Sequence, residues 1–246
     1  MRILFAGGGT AGHINPALAI AGTVREHEPD AAVLYVGAKG GMEERLVPKA
    51  GFEFKSVTIS GFQRKPSWAN LKKNLVTVAH LFTSTQEAKN ILRDFRPDVC
   101  VGTGGYVSGP VIREAMKLGI PSLIHEQNAF PGVTNKALSR KAAYTMLAVS
   151  DAQRYLPPQA RCVLTGNPIR PAVLRAKREE SRKKLGLDER PLILSFGGSL
   201  GARRINEAVA GLLEWSAKTG AFQHIHAYGQ WGRWFPDLLK EKGIDL

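Results

Sequence analysis

The sequence predicts an α/β chain: a doubly wound parallel sheet, then a second and smaller α/β unit. Three observations lead there. Short apolar runs alternate with helical stripes through the first two thirds of the chain. Three glycine-rich loops each follow a strand and open a helix. The pattern breaks near Gly166 and restarts at Leu192.

Taken in order, Arg2–Ala6 (RILFA) is an apolar run ending at glycines, as expected of a buried parallel strand. Ile14, Ala17, Leu18, Ala21 and Val24 then recur at helical spacing. Further strand-like runs lie at Ala32–Val36, Phe54–Ile59, Val99–Val101, Ser122–Ile124, Thr145–Val149 and Cys162–Leu164, most of them separated by helical segments. From Gly166, GNPIRP supplies a proline-bracketed turn, and the charged stretch Arg175 to Arg190 reads as linker and solvated helix. A strand at Leu192–Phe196, a glycine loop, a helix from about Arg203 to Lys218 and a strand at Gln223–Tyr228 begin a second unit. The expected division is residues 1–165 and 166–246. Two strands do not make a stable sheet alone, so the second unit is expected to be incomplete and the chain cut short.

Composition narrows the class. Hydrophobic residues form 43% and charged residues 22% of the 246, values of a globular chain with a core. No apolar run reaches the length of a membrane-spanning helix, and Met1 leads straight into the first strand with no signal-peptide pattern. Cys100 and Cys162 lack metal-ligand spacing and read as two buried free thiols in a reducing compartment. The net charge of +13 asks for an anionic partner: nucleic acid, a membrane surface or phosphorylated substrates.

The glycine loops choose among these. In GGGTAGHINPALA, Gly7, Gly9 and Gly12 fit G-x-G-x-x-G after a strand. A nicotinamide site also needs a carboxylate at the end of the second strand, where Gly37, Ala38 and Lys39 stand. A nucleotide-hydrolase phosphate loop needs a lysine where His13 stands. What remains is a turn whose amides face an anion at a helix N-terminus, with His13 at its mouth as base or phosphate donor. GTGGYVSGP, which contains Gly104, Gly105 and Tyr106, repeats the arrangement on another strand, and FGGSLGARRIN repeats it in the second unit with Ser199. HEQNAFPGVTN places His, Glu, Gln and Asn at a strand's carboxyl end, a set of donors and acceptors suited to a sugar. It is a poor metal site, since His125 and Glu126 are adjacent and point to opposite faces of an extended strand.

GGGTAGHINPALA, GTGGYVSGP, HEQNAFPGVTN, GNPIR and FGGSLGARRIN, in that order, resemble the MurG family of UDP-N-acetylglucosamine:N-acetylmuramyl-(pentapeptide) pyrophosphoryl-undecaprenol N-acetylglucosaminyltransferases. The resemblance covers the chain to about residue 206 and implies a GT-B fold of two Rossmann-like domains, the second incomplete here. It implies an N-terminal domain for the lipid-linked acceptor, lipid I, and a C-terminal domain for UDP-N-acetylglucosamine. The sugar would pass with inversion to the acceptor's C4 hydroxyl, giving lipid II. Donor contacts are implied at Thr10, Ala11, Gly12, Asn128, Arg170 and Ser199, and a diphosphate-facing loop at Gly104, Gly105 and Tyr106. Ala11 replaces the family's usual glycine, which requires a backbone conformation open to alanine. His13 is the expected catalytic base and Glu126 the second choice; Ser199 amides and Arg170 would stabilise departing UDP. No Asp-x-Asp pair suited to Mg²⁺ occurs in the sequence, so no cofactor or metal is expected beyond the donor substrate.

Arg64, Lys65, Lys72 and Lys73 gather beside Trp68 at the start of a helix whose Trp68, Leu71, Leu75, Val78 and Phe82 share a face. Cations beside apolar side chains suit an anionic bilayer, and the family's location is peripheral, on the cytoplasmic face of the bacterial membrane. Two alternatives stand beside this reading. One is an acceptor- or membrane-binding fragment without catalysis. The other is a nucleic-acid-binding module, disfavoured because no helix-turn-helix, zinc-finger or RNP-like pattern is visible.

Overall fold

The computed structural model describes residues 1–59 and 68–244, with the backbone alone from 68 to 81. It divides into two compact units, Met1–Arg175 and Ala176–Leu246. The division falls later than the expected one at 165/166, because the short helix α6 (Pro171–Leu174) packs on α1 (Ala11–His27) of the first unit.

The first unit is a seven-stranded parallel sheet of β1 (Arg2–Gly7), β2 (Ala32–Ala38), β3 (Glu53–Val57), β4 (Val99–Gly104), β5 (Ser122–Glu126), β6 (Tyr144–Leu147) and β7 (Cys162–Leu164). Their spatial order is β3-β2-β1-β4-β5-β6-β7, so the winding direction reverses between β1 and β4. Open α/β sheets bind ligands at that reversal, outside the carboxyl ends of the strands. Both faces are covered, which is why β1 reads as one continuous apolar run and not as an alternation. Its alternate side chains serve different layers. Leu4 and Ala6 pack with Leu92 and Phe95 of α3 (Trp68–Phe95) and with Val107, Val111 and Ile112 of α4 (Gly105–Lys117). Ile3 and Phe5 pack with Ile14, Ala17 and Leu18 of α1 and Val47 of α2 (Glu43–Lys49). Strands β4 and β5 run past the apolar stretches that signal them, ending at Gly104 and Glu126, so both motif segments begin within the sheet. The edge strand β7 leaves Cys162 half-buried, which corrects the expectation of two buried thiols; Cys100, on the central β4, is fully enclosed. Burial pushes the Cys100 thiol up to about 12.

The second unit holds β8 (Leu192–Phe196) and β9 (Gln223–Ala227) as a parallel pair, with α7 (Arg178–Lys184), α8 (Arg203–Thr219) and α9 (Phe235–Glu241). Helix α7 buries no residue, as its charge pattern requires. Gly220, in the left-handed region, ends α8. A small core of Val209, Ala210, Phe235 and Leu239 joins α8 to α9.

Candidate active site at the sheet reversal

The first two glycine loops meet where the sheet reverses. Loop 1 leaves β1 through Gly7–Gly9 and enters α1 behind Thr10; loop 2 is the tight passage from β4 into α4 at Gly104 and Gly105. The loops are fastened to each other. The Gly8 N–H donates to the Gly104 carbonyl (3.4 Å), and the Thr103 hydroxyl donates to the His13 carbonyl (2.7 Å). Ser108, a turn into α4, donates to the Ala6 carbonyl at 3.1 Å. Gly104 and Gly105 both have φ in the left-handed region, +103° and +81°. A β-carbon on Gly105 would overlap the Gly8 carbonyl, so only glycine allows the loops this approach. The Tyr106 ring lies over Gly9, and burial, then the charge of Glu43, pushes its phenol up.

Two helix N-termini therefore open on one edge. Neither Thr10 before α1 nor Gly104 before α4 caps its helix with a side-chain hydrogen bond, which leaves first-turn amides for an incoming anion. Ala11 is the first residue of α1 and lies in the helical region, not the left-handed one, so its methyl is accommodated. Thr10 and Gly12 are exposed beside it.

His13 is held by its ring. Nδ1 lies 3.1 Å from the Thr103 carbonyl oxygen and 3.3 Å from Gln127 Oε1. Both neighbours are acceptors, because Gln127 Nε2 donates to the same Thr103 carbonyl at 2.9 Å and to His125 Nδ1 at 3.0 Å. Nδ1 therefore carries a proton, and in the neutral ring this leaves the lone pair on Nε2, the tautomer of a base. His125 completes the chain: it is 1% exposed, its Nε2 donates to the Gly166 carbonyl at 3.1 Å, and burial lowers its pKa. A line of side chains runs from His125 through Gln127 to His13.

The HEQN segment differs from the sugar-facing cluster expected of it. His125 and Glu126 are each 1% exposed and face inward. Glu126 Oε1 accepts from the Asn128 N–H (3.0 Å) and Asn128 Nδ2 (2.9 Å), and Oε2 from the Gly132 N–H (3.1 Å) and Asn135 Nδ2 (2.9 Å). Those four donors occupy the lone pairs a carboxylate offers. Glu126 thus shapes the turn before α5 (Val133–Leu138), and the enclosure removes the ground for reading it as a base. Asn128 stays exposed, with Glu126 orienting its amide.

The remaining expected residues lie elsewhere. Arg170, exposed before α6, lines a groove of about 460 Å³ along α1 with Asn15, Leu18, Arg25 and Lys49, and it makes no hydrogen bond to either loop among the described residues. Ser199 is exposed on loop 3 of the second unit, ahead of α8. That loop is tied down by Gln230 N–H to the Ser199 carbonyl (3.1 Å) and Trp231 N–H to the Leu200 carbonyl (2.8 Å). Arg64 and Lys65, and the side chains of Trp68, Lys72 and Lys73, fall outside the described residues. No described helix is long and apolar enough to cross a membrane. Thr103 and Gln127 carry much of the geometry, yet only Gln127 stands in a stretch the sequence singles out as polar.

Comparison with known proteins gives the family. The model of the glycosyltransferase family 28 N-terminal domain matches residues 3–147, the span that holds both loops and the HEQN segment. A UDP-N-acetylglucosamine--N-acetylmuramyl-(pentapeptide) pyrophosphoryl-undecaprenol N-acetylglucosamine transferase of Acetivibrio thermocellus is 46% identical, over 94% of this chain and 62% of its own length. One of the same name from Ruminiclostridium cellulolyticum is also 46% identical, over 100% of this chain and 66% of its own. The chain thus spans slightly under two thirds of these relatives. Among solved structures, Acinetobacter baumannii MurG superposes with a TM-score of 0.63 at 27% identity, covering 100% of this chain and 64% of that one. The UDP-GlcNAc 2-epimerase of Neisseria meningitidis, 14% identical with a TM-score of 0.61 over 98% of this chain and 70% of its own, shares the fold alone. The family that the five motif stretches resemble is the one whose name these relatives carry, and the chain belongs to glycosyltransferase family 28 through its N-terminal domain.

Proposed function

We propose that the protein acts in the transfer of N-acetylglucosamine from UDP-N-acetylglucosamine to the C4 hydroxyl of lipid I, giving lipid II for peptidoglycan. The observation that carries this is the fastening of two uncapped helix N-termini, and of an imidazole in its basic tautomer, at one edge of the sheet. Loops 1 and 2 of the first unit would form one anion site, with loop 2 (Gly104, Gly105 and Tyr106) facing the acceptor's diphosphate. His13 Nε2 would take the proton of the attacking hydroxyl as the C4 oxygen bonds to the sugar's anomeric carbon and the bond to UDP breaks, inverting that carbon. The second unit would take the donor. There the Ser199 segment at the α8 N-terminus would supply amides for the nucleotide's diphosphate; on the first unit, Thr10, Ala11, Gly12, Asn128 and Arg170 would be donor contacts. No cofactor is assigned beyond the donor.

The basic cluster Arg64, Lys65, Lys72 and Lys73 with Trp68 would bring the protein to an anionic bilayer, placing it peripherally on the cytoplasmic face where a lipid-linked acceptor is found. Incubation with labelled UDP-N-acetylglucosamine and a lipid I analogue, with acceptor binding measured alongside, tests the central reading. Labelled disaccharide lipid is expected, and His13→Ala should reduce its formation about 10²–10⁴-fold. A chain that neither binds the analogue nor transfers label would overturn it.

A further inference from the structure

Beneath loop 1 lies a carboxylate that no role described so far uses. Glu43 opens α2 and is 0% exposed. Its Oε1 accepts the Ala38 N–H at 2.8 Å, at the carboxyl end of β2. Its Oε2 is buried and has no hydrogen-bond partner, and no lysine or arginine pairs with it among the described residues. Three glycines close around it: a β-carbon at Gly8, Gly37 or Gly41 would run into the Glu43 side chain. Gly8 belongs to loop 1, and its N–H makes only a long bond, 3.4 Å, to Gly104. An unmade hydrogen bond on a buried carboxylate is costly, which makes an empty acceptor beneath a loop whose Gly8 amide is only weakly held a feature that calls for a donor.

We propose that Glu43 is a positioning residue of loop 1: its carboxylate ties the end of β2 to the loop, and its second oxygen accepts an N–H of the Gly8–Gly9 segment as that loop closes on a diphosphate. This rests on reading loops 1 and 2 as a diphosphate site. Glu43 touches no substrate; it acts through the loop that leads into α1 and His13. Its negative charge behind the loop opposes a bound anion, so its contribution is geometry and not attraction. The phenols of Tyr35 and Tyr106 on either side both feel that charge, in addition to their burial.

Glu43→Gln separates the two effects, since it removes the charge and replaces one acceptor oxygen by a donor at nearly constant volume. Hydrogen exchange at Gly8 and Gly9 would be measured in the full chain relative to the β1 and β4 amides, with and without inorganic pyrophosphate, alongside calorimetric titration of pyrophosphate. The expected result is exchange at Gly8–Gly9 faster by about tenfold with the strand amides unchanged, and pyrophosphate binding weaker by about tenfold. Loss of charge alone would tighten binding, so tighter or unchanged affinity overturns the proposal, as does unchanged exchange at the two glycines. Glu43→Asp, which keeps the charge but withdraws it by one methylene, should give the same local pattern and serves if the glutamine variant fails to fold. Wild-type protein that binds no pyrophosphate would refute the diphosphate reading, while the exchange comparison without ligand would still decide the role of Glu43.

Discussion

Alanine at Gly105 and at Gly109, two positions one turn apart in α4, should act in opposite directions. At Gly105 the backbone has φ +81°, a region that costs an alanine about 1–2 kcal/mol. The added methyl also meets the carbonyl of Gly8, a backbone group of loop 1 that moves only if the loop moves. Overpacking of this kind costs about 1–3 kcal/mol, so the total is about 2–5 kcal/mol. Gly109 has no such φ, and its nearest neighbour, the Thr134 methyl at 3.5 Å, is in ordinary contact. Alanine there should stabilise the helix by about 0.5–1 kcal/mol. Native-state hydrogen exchange of the β1 and β4 amides reads both changes within the first unit, without contribution from the second. Gly105→Ala should also displace loop 1 from loop 2 and lower transfer activity, while Gly109→Ala leaves activity unchanged. Equal stability of Gly105→Ala and wild type would refute the interlocking of the loops.

Gln127→Leu removes the acceptor facing His13 Nδ1 and leaves the buried His125 Nδ1 without a donor; kcat should fall about 2–10-fold, with little change in KM for the donor, measured by initial rates. Acidification should destabilise the fold below about pH 6.5, the ordinary histidine value. Burial lowers the pKa of His125, and likewise of His224 and His226, so the unfolded chain binds more protons there than the folded one. The stability these neutral rings contribute is complete above that pH and is lost as pH falls towards their folded values. Urea midpoints between pH 5 and 8 test this, and His125→Asn should flatten the part that belongs to the first unit.

Much of this architecture is legible in the sequence because a parallel sheet buried on both faces makes its strands apolar runs. Cys162–Leu164 and Leu192–Phe196 are read to the residue, and the others mostly within two. The glycine loops are legible for a different reason: positive φ at Gly104 and Gly105 admits little else. What the sequence hides is side-chain direction. HEQN looks like an array of ligand-facing groups, yet the pleat and the following turn send His125 and Glu126 inward and leave Asn128 outside. The absence of a carboxylate in Gly37–Lys39 counts against a nicotinamide site, but the fold returns Glu43 from the next helix to the Ala38 N–H. Fully buried, that carboxylate is in no position to hold a ribose. Contacts of this kind depend on a turn closing, and residue spacing does not announce them.

The most direct test of a shared anion site is a ¹H–¹⁵N spectrum of the full chain titrated with inorganic pyrophosphate. The amides of Gly8, Gly9, Ala11, Gly12, Gly105 and Tyr106 should shift together along one binding curve. Shifts confined to the groove of Arg25, Lys49 and Arg170, or separate curves for the two loops, would contradict a common site at the sheet reversal.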